Sequence, residues 1–177
     1  GIAGVSIAYN LIKSGKKVVL IEDGFIGSGE TGRTTAHLVT ALDDRYYELE
    51  RMFGEDKARL IAESHKEAID FIERTIKDLE IRCNFERLDG YLFLHKSDDV
   101  SSLEKEYEAC IRAGLEFEQL LEVPGIKSYS GPGIRFLNQA QFHPLKYLKS
   151  LCEYIISNGG AIYTNTHVKA IDQNGVL

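Results

Sequence analysis

Two glycines three positions apart, an acid and a hydroxyl-rich loop are the residues of this sequence best equipped for chemistry. Gly1, Ile2, Ala3 and Gly4 open a stretch with helical periodicity, and Glu22 followed by Asp23 closes the apolar run Val18-Val19-Leu20-Ile21. The start of a helix offers N–H groups and partial positive charge to an anion such as a pyrophosphate. In that setting Gly1 permits a close backbone approach, and Gly4 lets the helix pack tightly against a sheet. Glu22 stands 18 residues after Gly4, where a strand-end carboxylate accepts hydrogen bonds from both hydroxyls of a ribose. A carboxylate there repels a 2′-phosphate, which favours FAD or NAD over NADP. Two glycines at this spacing arise often by chance, and a strand-end acid is often only a solvated charge. Helix, strand and spacing together carry the inference.

Glu22 does not separate FAD from NAD; the next segment does. Residues 27–38, GSGETGRTTAHL, bring small and hydroxyl side chains immediately after the second strand. A NAD domain usually goes straight on to its next helix and strand. Backbone N–H groups of Thr31 and Gly32, with the Arg33 guanidinium, are placed to hold a second phosphate-rich edge. The small run Thr34-Thr35-Ala36 lets a flat ring lie against the backbone. A hydrophilic turn is the alternative.

These residues need elements to position them. Apolar groups at Val5, Ala8, Leu11 and Ile12 predict a helix over 2–14, with Gly15 at its end. The run 18–21 predicts a strand buried on both faces. Helices are expected at 43–53, opened by Asp43 and Asp44, and at 55–79. Strands at 84–88 and 91–95 are expected to form a hairpin across Asp89-Gly90. A helix over 99–113, loops and short strands, a helix over 144–158, and strands at 161–164 and 167–172 follow. The period changes near 82 and again near 142, the mark of one domain interrupted by an excursion into another.

Composition narrows the class. The 177 residues are 44% hydrophobic and 27% charged, as in an ordinary globular chain. A net charge of −6 argues against nucleic acid as a partner. No apolar stretch is long enough for a membrane span. Cys83, Cys110 and Cys152 are widely spaced and form no CxxC pair, which suits reduced thiols in the cytoplasm. His65, His95, His143 and His167 show no metal-ligand spacing, so no metal is expected. Tyr46, Tyr47 and Tyr91 are open to two readings, substrate pocket or core.

GIAGVSIAYNLIKSGKKVVLIE followed by GSGETGRTTAHL resembles the N-terminal signature of the D-amino-acid-oxidase-like flavoenzymes, the class that includes glycine and sarcosine oxidases. The stretch FHPLKYLKSLCEYIISNGGAIYTNTHVKAI (142–171) is similar to the family's proline-started helix, Gly-Gly turn and T-x-V strand. DGYLFL (89–94) resembles a strand of its substrate domain. The resemblance implies that the first segment binds the ADP half of FAD, that the second runs beside the ribityl chain and flavin ring, and that Val168 touches the adenine through its backbone. It places His37 after the flavin-facing loop, where packing, a non-covalent flavin contact and covalent attachment all stay open.

The expected fold is α/β: a Rossmann-like FAD-binding domain, its first strand missing, interrupted by part of an α+β substrate domain. The parts run 1–82 (FAD-binding), 83–141 (substrate) and 142–177 (return to FAD-binding). A first glycine and strand before Gly1, and a further FAD-binding segment after residue 177, belong to the family pattern, so the segment alone is expected to be inactive. The expected activity is oxidation of a C–N bond in an amino acid or amine by hydride transfer to flavin. No residue stands out as a catalytic base, substrate is a small molecule, and oligomeric state stays open. A NAD-linked dehydrogenase and a non-catalytic FAD-binding or structural subunit are the competing assignments.

Overall fold

The computed structural model describes residues 1–95, 98–172 and 175–176. By packing, the chain divides into two compact units. The first holds 1–36, 76–84 and 143–177; the second holds 37–75 and 85–142. Expected breaks near 82 and 142 lie beside two of these junctions. The junction at 36/37 has no counterpart in the sequence-based division, because the hydrophobic positions of 46–75 pack onto a sheet formed far along the chain.

In the first unit, α1 (Ile2–Lys13) ends at Gly15, whose φ of 73° suits a residue without Cβ. Its stripe of Val5, Ala8, Tyr9 and Ile12 is buried. This stripe packs with α5 (Pro144–Ser157), which buries Tyr147, Leu148, Leu151 and Ile155. Tyr9 and Tyr154 meet edge-on at 5.0 Å between ring centres. Pro144 sits where a helix has no N–H to lose, and His143 caps that helix by accepting the Lys146 N–H at 3.4 Å. Strand β1 (Val19–Ile21) pairs in parallel with β6 (Ala161–Tyr163). The expected burial of β1 on both faces is corrected: Val19 is 61% exposed. A strand is enclosed by neighbours on both edges, and among the described residues β6 is the sole partner of β1.

The second unit is organised by β5 (Gly133–Gln141). It pairs antiparallel with β2 (His37–Leu38), β3 (Glu86–Phe93) and β4 (Phe117–Leu120). Strand β3 follows one edge along its whole length, so β2 and β4 share the other. Helices α2 (Tyr46–Phe53), α3 (Glu55–Asp78, its last turn in the first unit) and α4 (Val100–Ala113) supply the apolar partners of this sheet. Tyr46, Leu49, Ala58, Ala62, Leu103, Cys110, Ile134 and Phe136 share one buried cluster.

Three expectations fail here or in the first unit. Asp89-Gly90 is not a turn; β3 runs straight through it. The pairing shifts there, Leu88 facing Gln139 and Gly90 facing Phe136, so Leu137 and Asn138 bulge from β5 opposite Asp89. Asn138 takes the left-handed conformation at φ 57°. Asp89 anchors the bulge, accepting from Arg135 Nε at 2.8 Å and from the Asn138 N–H at 3.3 Å. A local turn signal loses to a long partner strand. The expected strand over 167–172 shrinks to β7 (Ile171–Asp172), paired with β8 (Gly175–Val176), because Asn165 turns left-handed at φ 50° and breaks the extension. Finally, α2 starts at Tyr46 rather than at Asp43-Asp44. Its opening N–H groups find a distant cap: Glu106 of α4 accepts the Tyr47 N–H at 3.3 Å.

Glu106 is only 2% exposed. Burial pushes its carboxyl above the usual carboxylate range, against the lowering pull of the α2 N–H groups and Arg45. A folded-state pKa above the unfolded one means stability fully present below the unfolded value and lost as pH rises through the folded one. Glu106→Gln keeps an oxygen for Tyr47 and removes the charge. The urea midpoint of the wild type should therefore fall relative to E106Q as pH rises above about 4, the unfolded value, the two converging in acid. A gap constant over that range would show that another group titrates. Glu106→Ala also removes the cap and should cost about 1 kcal/mol more than E106Q.

Candidate functional site

The start of α1 and the end of β1 meet in the first unit. Glu22 Oε2 lies 3.3 Å from the Gly1 amine, and Glu22 Oε1 accepts the Gly24 N–H at 3.3 Å. The Gly24 N–H, the largest cause, holds the Glu22 carboxyl below the usual carboxylate range. It is therefore ionised at neutral pH. Thr31 comes to the same place: its Oγ1 accepts the Ile2 N–H at 3.1 Å. An added Cβ at Gly1 would meet that oxygen at 3.0 Å, so the lack of a side chain at Gly1 keeps the helix mouth open. Ile2 and Ala3 form the first turn with Gly4. Because Thr31 Oγ1 already accepts, its own proton is available to donate to an anion. Here a positive helix end and a hydroxyl donor stand beside an ionised acceptor, a set that suits a ligand carrying both phosphate and vicinal hydroxyls.

Two glycine roles come out differently from expectation. A Cβ at Gly4 would meet Leu20 Cδ1 at 3.7 Å, an ordinary contact; close helix–sheet packing does not require glycine there. Gly32 does require it, since a Cβ would overlap the carbonyl oxygen of Gly27. The tight approach of these two loop residues is the feature that sequence reading missed, although the GSG triplet was its signal. The Glu30–Gly32 segment is a single 3-10 turn. In it the Gly32 N–H is bonded to Gly29 O at 3.1 Å, so that donor already has an acceptor. Arg33 reaches Glu30 at 3.4 Å, and both side chains are exposed. The Ala36 N–H bonds Thr34 Oγ1 at 3.1 Å, and Ala36 itself is left-handed at φ 66°, a conformation that strains any residue with a Cβ. Thr35 lies between them in the loop.

The segment carrying Val168 is tied to the same strand end. Glu22 N–H donates to Tyr163 O at 2.8 Å, Thr166 N–H to Glu22 O at 3.0 Å, and Asn165 N–H to Gly24 O at 2.8 Å. Val168 is half-buried two residues beyond Thr166. Asp23 binds His167 Nδ1 at 3.0 Å, a pairing that no short-range pattern announces because 144 residues separate the two.

Other candidates fall in the second unit. His37 is an exposed residue of β2, opposite Gln141. Tyr46 is core: fully buried, with its hydroxyl donating to Thr40 O at 2.7 Å. Tyr47 lines a recess of about 350 Å3 with Arg45, Ser102 and Glu106. Tyr91 is 42% exposed. Cys83 and Cys110 are buried and Cys152 half-buried, all three as free thiols. Among the described residues, no three His, Cys, Asp or Glu side chains are grouped to hold a metal, and no helix is long and apolar enough to cross a membrane.

Known proteins are similar to this chain. The family of FAD dependent oxidoreductases (DAO) matches residues 1–177. A putative Rieske 2Fe-2S iron-sulfur protein of Bacillus subtilis is 39% identical over 166 residues, covering 94% of this chain and 32% of its own length. Gamma-glutamylputrescine oxidoreductase of Escherichia coli is 29% identical over 178 residues, covering 97% of this chain and 41% of its own. The glycine oxidase structure from Geobacillus kaustophilus superposes with a TM-score of 0.77 at 16% identity, over 100% of this chain and 50% of that one. The α/β fold is thus shared, and the chain spans half or less of each of these proteins.

The glycine geometry is testable by stability. Gly4→Ala should leave the protein as stable or up to about 1 kcal/mol more so, since alanine is the better helix former. Gly32→Ala should cost roughly 1–3 kcal/mol, because backbone rather than a mobile side chain must move. Denaturant titration of both variants checks this, and equal effects would contradict the assigned contacts.

Proposed function

Because the chain belongs to the family of FAD dependent oxidoreductases, matched from residue 1 to 177, we propose that it holds the ADP half of FAD. The whole protein would oxidise a C–N bond of an amino acid or amine. The observation that carries the proposal is the Glu22–Gly1 juxtaposition at 3.3 Å, supported by the convergence of Thr31 and the 163–168 segment on it. Residues 1–36 and 143–177 would form the Rossmann-like FAD-binding part, and 85–141 part of the substrate domain.

In this assignment the α1 N-terminus and the Thr31 hydroxyl donate to the pyrophosphate, while the ionised Glu22 accepts from the ribose hydroxyls. Gly1 leaves room for the phosphate, and the carboxylate keeps out a 2′-phosphate. Arg33 and the Thr34–Ala36 run border the ribityl and ring end, and the Val168 backbone faces the adenine. FAD, when bound, supplies the acceptor for a hydride from the substrate carbon next to nitrogen, leaving an imine that water hydrolyses. The chain's own residues bind and orient; none of them is assigned the proton transfer. Substrate is a small molecule, and free thiols suit a reducing compartment such as the cytoplasm.

One observation supports a second version of the same chemistry. The Bacillus subtilis relative at 39% identity is described as a putative Rieske iron-sulfur protein, which favours electron transfer to a carrier over transfer to oxygen. Oxygen consumption during turnover separates the two.

The purified full-length protein should show a flavin absorption spectrum that bleaches without air when the right amine or amino acid is added. A colourless protein that binds NAD would overturn the proposal. Glu22→Ala should weaken FAD binding by roughly 1.5–3 kcal/mol, the range for hydrogen bonds to a charged group. Undiminished affinity on fluorescence titration would remove Glu22 from the site.

A further inference from the structure

We propose that His167, oriented by Asp23, is the aromatic platform against which the adenine ring of the bound nucleotide lies. The proposal rests on the FAD assignment of the Glu22 site. A base is joined to its ribose by one glycosidic bond, so an adenosine gripped at Glu22 must place its base beside that strand end. The chain bonded directly to that end is the 165–167 turn: the Thr166 N–H reaches the carbonyl of Glu22 itself, and the Asn165 N–H that of Gly24. Left-handed Asn165, at φ 50°, redirects the backbone, and the next ring-bearing residue is His167.

The ring is exposed yet fixed. Side-chain exposure is 69% for His167 and 73% for Asp23, across 3.0 Å. With its proton on Nδ1, the imidazole donates to the Asp23 carboxylate. A pair this exposed contributes little to folding, but its bond to Asp23 favours one orientation of the ring. Phe25 and Tyr163 are also exposed near β1. His167 is distinguished from them by its side-chain anchor, which lowers the ordering cost of a stacked complex. Rings of this kind stack on any base face.

Calorimetric titration of the full-length protein, freed of its FAD, with AMP, which carries the adenosine but no flavin, tests this directly. His167→Ala should weaken AMP binding about fivefold or more, the lower end for base-on-ring stacking, while His167→Phe, which keeps a ring but not the bond to Asp23, should fall between H167A and wild type. The melting temperature without ligand should be unchanged in both. AMP binding by H167A within about twofold of wild type overturns the platform. So does an H167F as weak as H167A, which would mean that only the bond to Asp23 matters. Glu22→Ala, run beside them, separates the two levels. If E22A weakens AMP binding and H167A does not, the platform alone fails; if wild type ignores AMP, or E22A binds it fully, the FAD assignment fails and takes the platform with it.

Discussion

An ionised carboxylate held against the positive end of a helix is the constraint on which the site depends. Glu22 Oε2 stands 3.3 Å from Gly1 N at the start of α1, and the Gly24 N–H holds the carboxyl below its usual range. That contact has a consequence for any ligand. A plain anion arriving at the helix mouth gains from the N–H groups but meets the Glu22 charge at close range. A plain polyol satisfies Glu22 and leaves the helix end unused. A nucleotide avoids both losses by presenting phosphate to the helix and hydroxyls to the acid. The local electrostatics therefore suit a ligand that carries both kinds of group.

Elements governed by short-range periodicity were legible in the chain. The helices α1 and α5 each lie within one residue of their expected limits, since a 3.6-residue stripe, a glycine or proline boundary and a polar opposite face are all local features. What was not legible came from partners distant in sequence. Asp89-Gly90 carries every mark of a turn, and its fate was decided by β5, more than forty positions later. The start of α2 was set by Glu106 rather than by the nearby Asp43 and Asp44. Within the site the same division holds. Gly1 and Glu22 were visible from their spacing, whereas the hydroxyl role of Thr31, the contact of Gly32 with Gly27, and the Asp23–His167 pair exist only once the loops are folded.

The two units stabilise themselves by different means. The first relies on α1 against α5, with aromatic and aliphatic rows and few charges inside. The second surrounds its sheet with ion pairs. Arg87 bridges Asp70 and Glu73, Arg135 joins Asp89 to Glu118, and Lys66 pairs with Glu116. Arg87 and Arg135 both act at the β3–β5 bulge, where backbone pairing is interrupted and a side chain must fix the register. Arg87 Nη1 also donates to Asn138 O at 2.6 Å. The charges thus hold an irregular strand in place more than they add stability, as expected for partly exposed pairs.

That irregular sheet and the 165–167 turn belong to different units. The glycine oxidase of Geobacillus kaustophilus and the gamma-glutamylputrescine oxidoreductase of Escherichia coli differ in the compounds their names describe. Yet both match nearly all of this chain. A region common to proteins with such different substrates carries little information about substrate. Under the proposed FAD assignment, Glu22, Gly1 and Thr31 would supply the acceptor for the diol and the donors for the diphosphate, groups whose chemistry is indifferent to what is oxidised. Selection among substrates would then come from residues outside the Glu22 cluster.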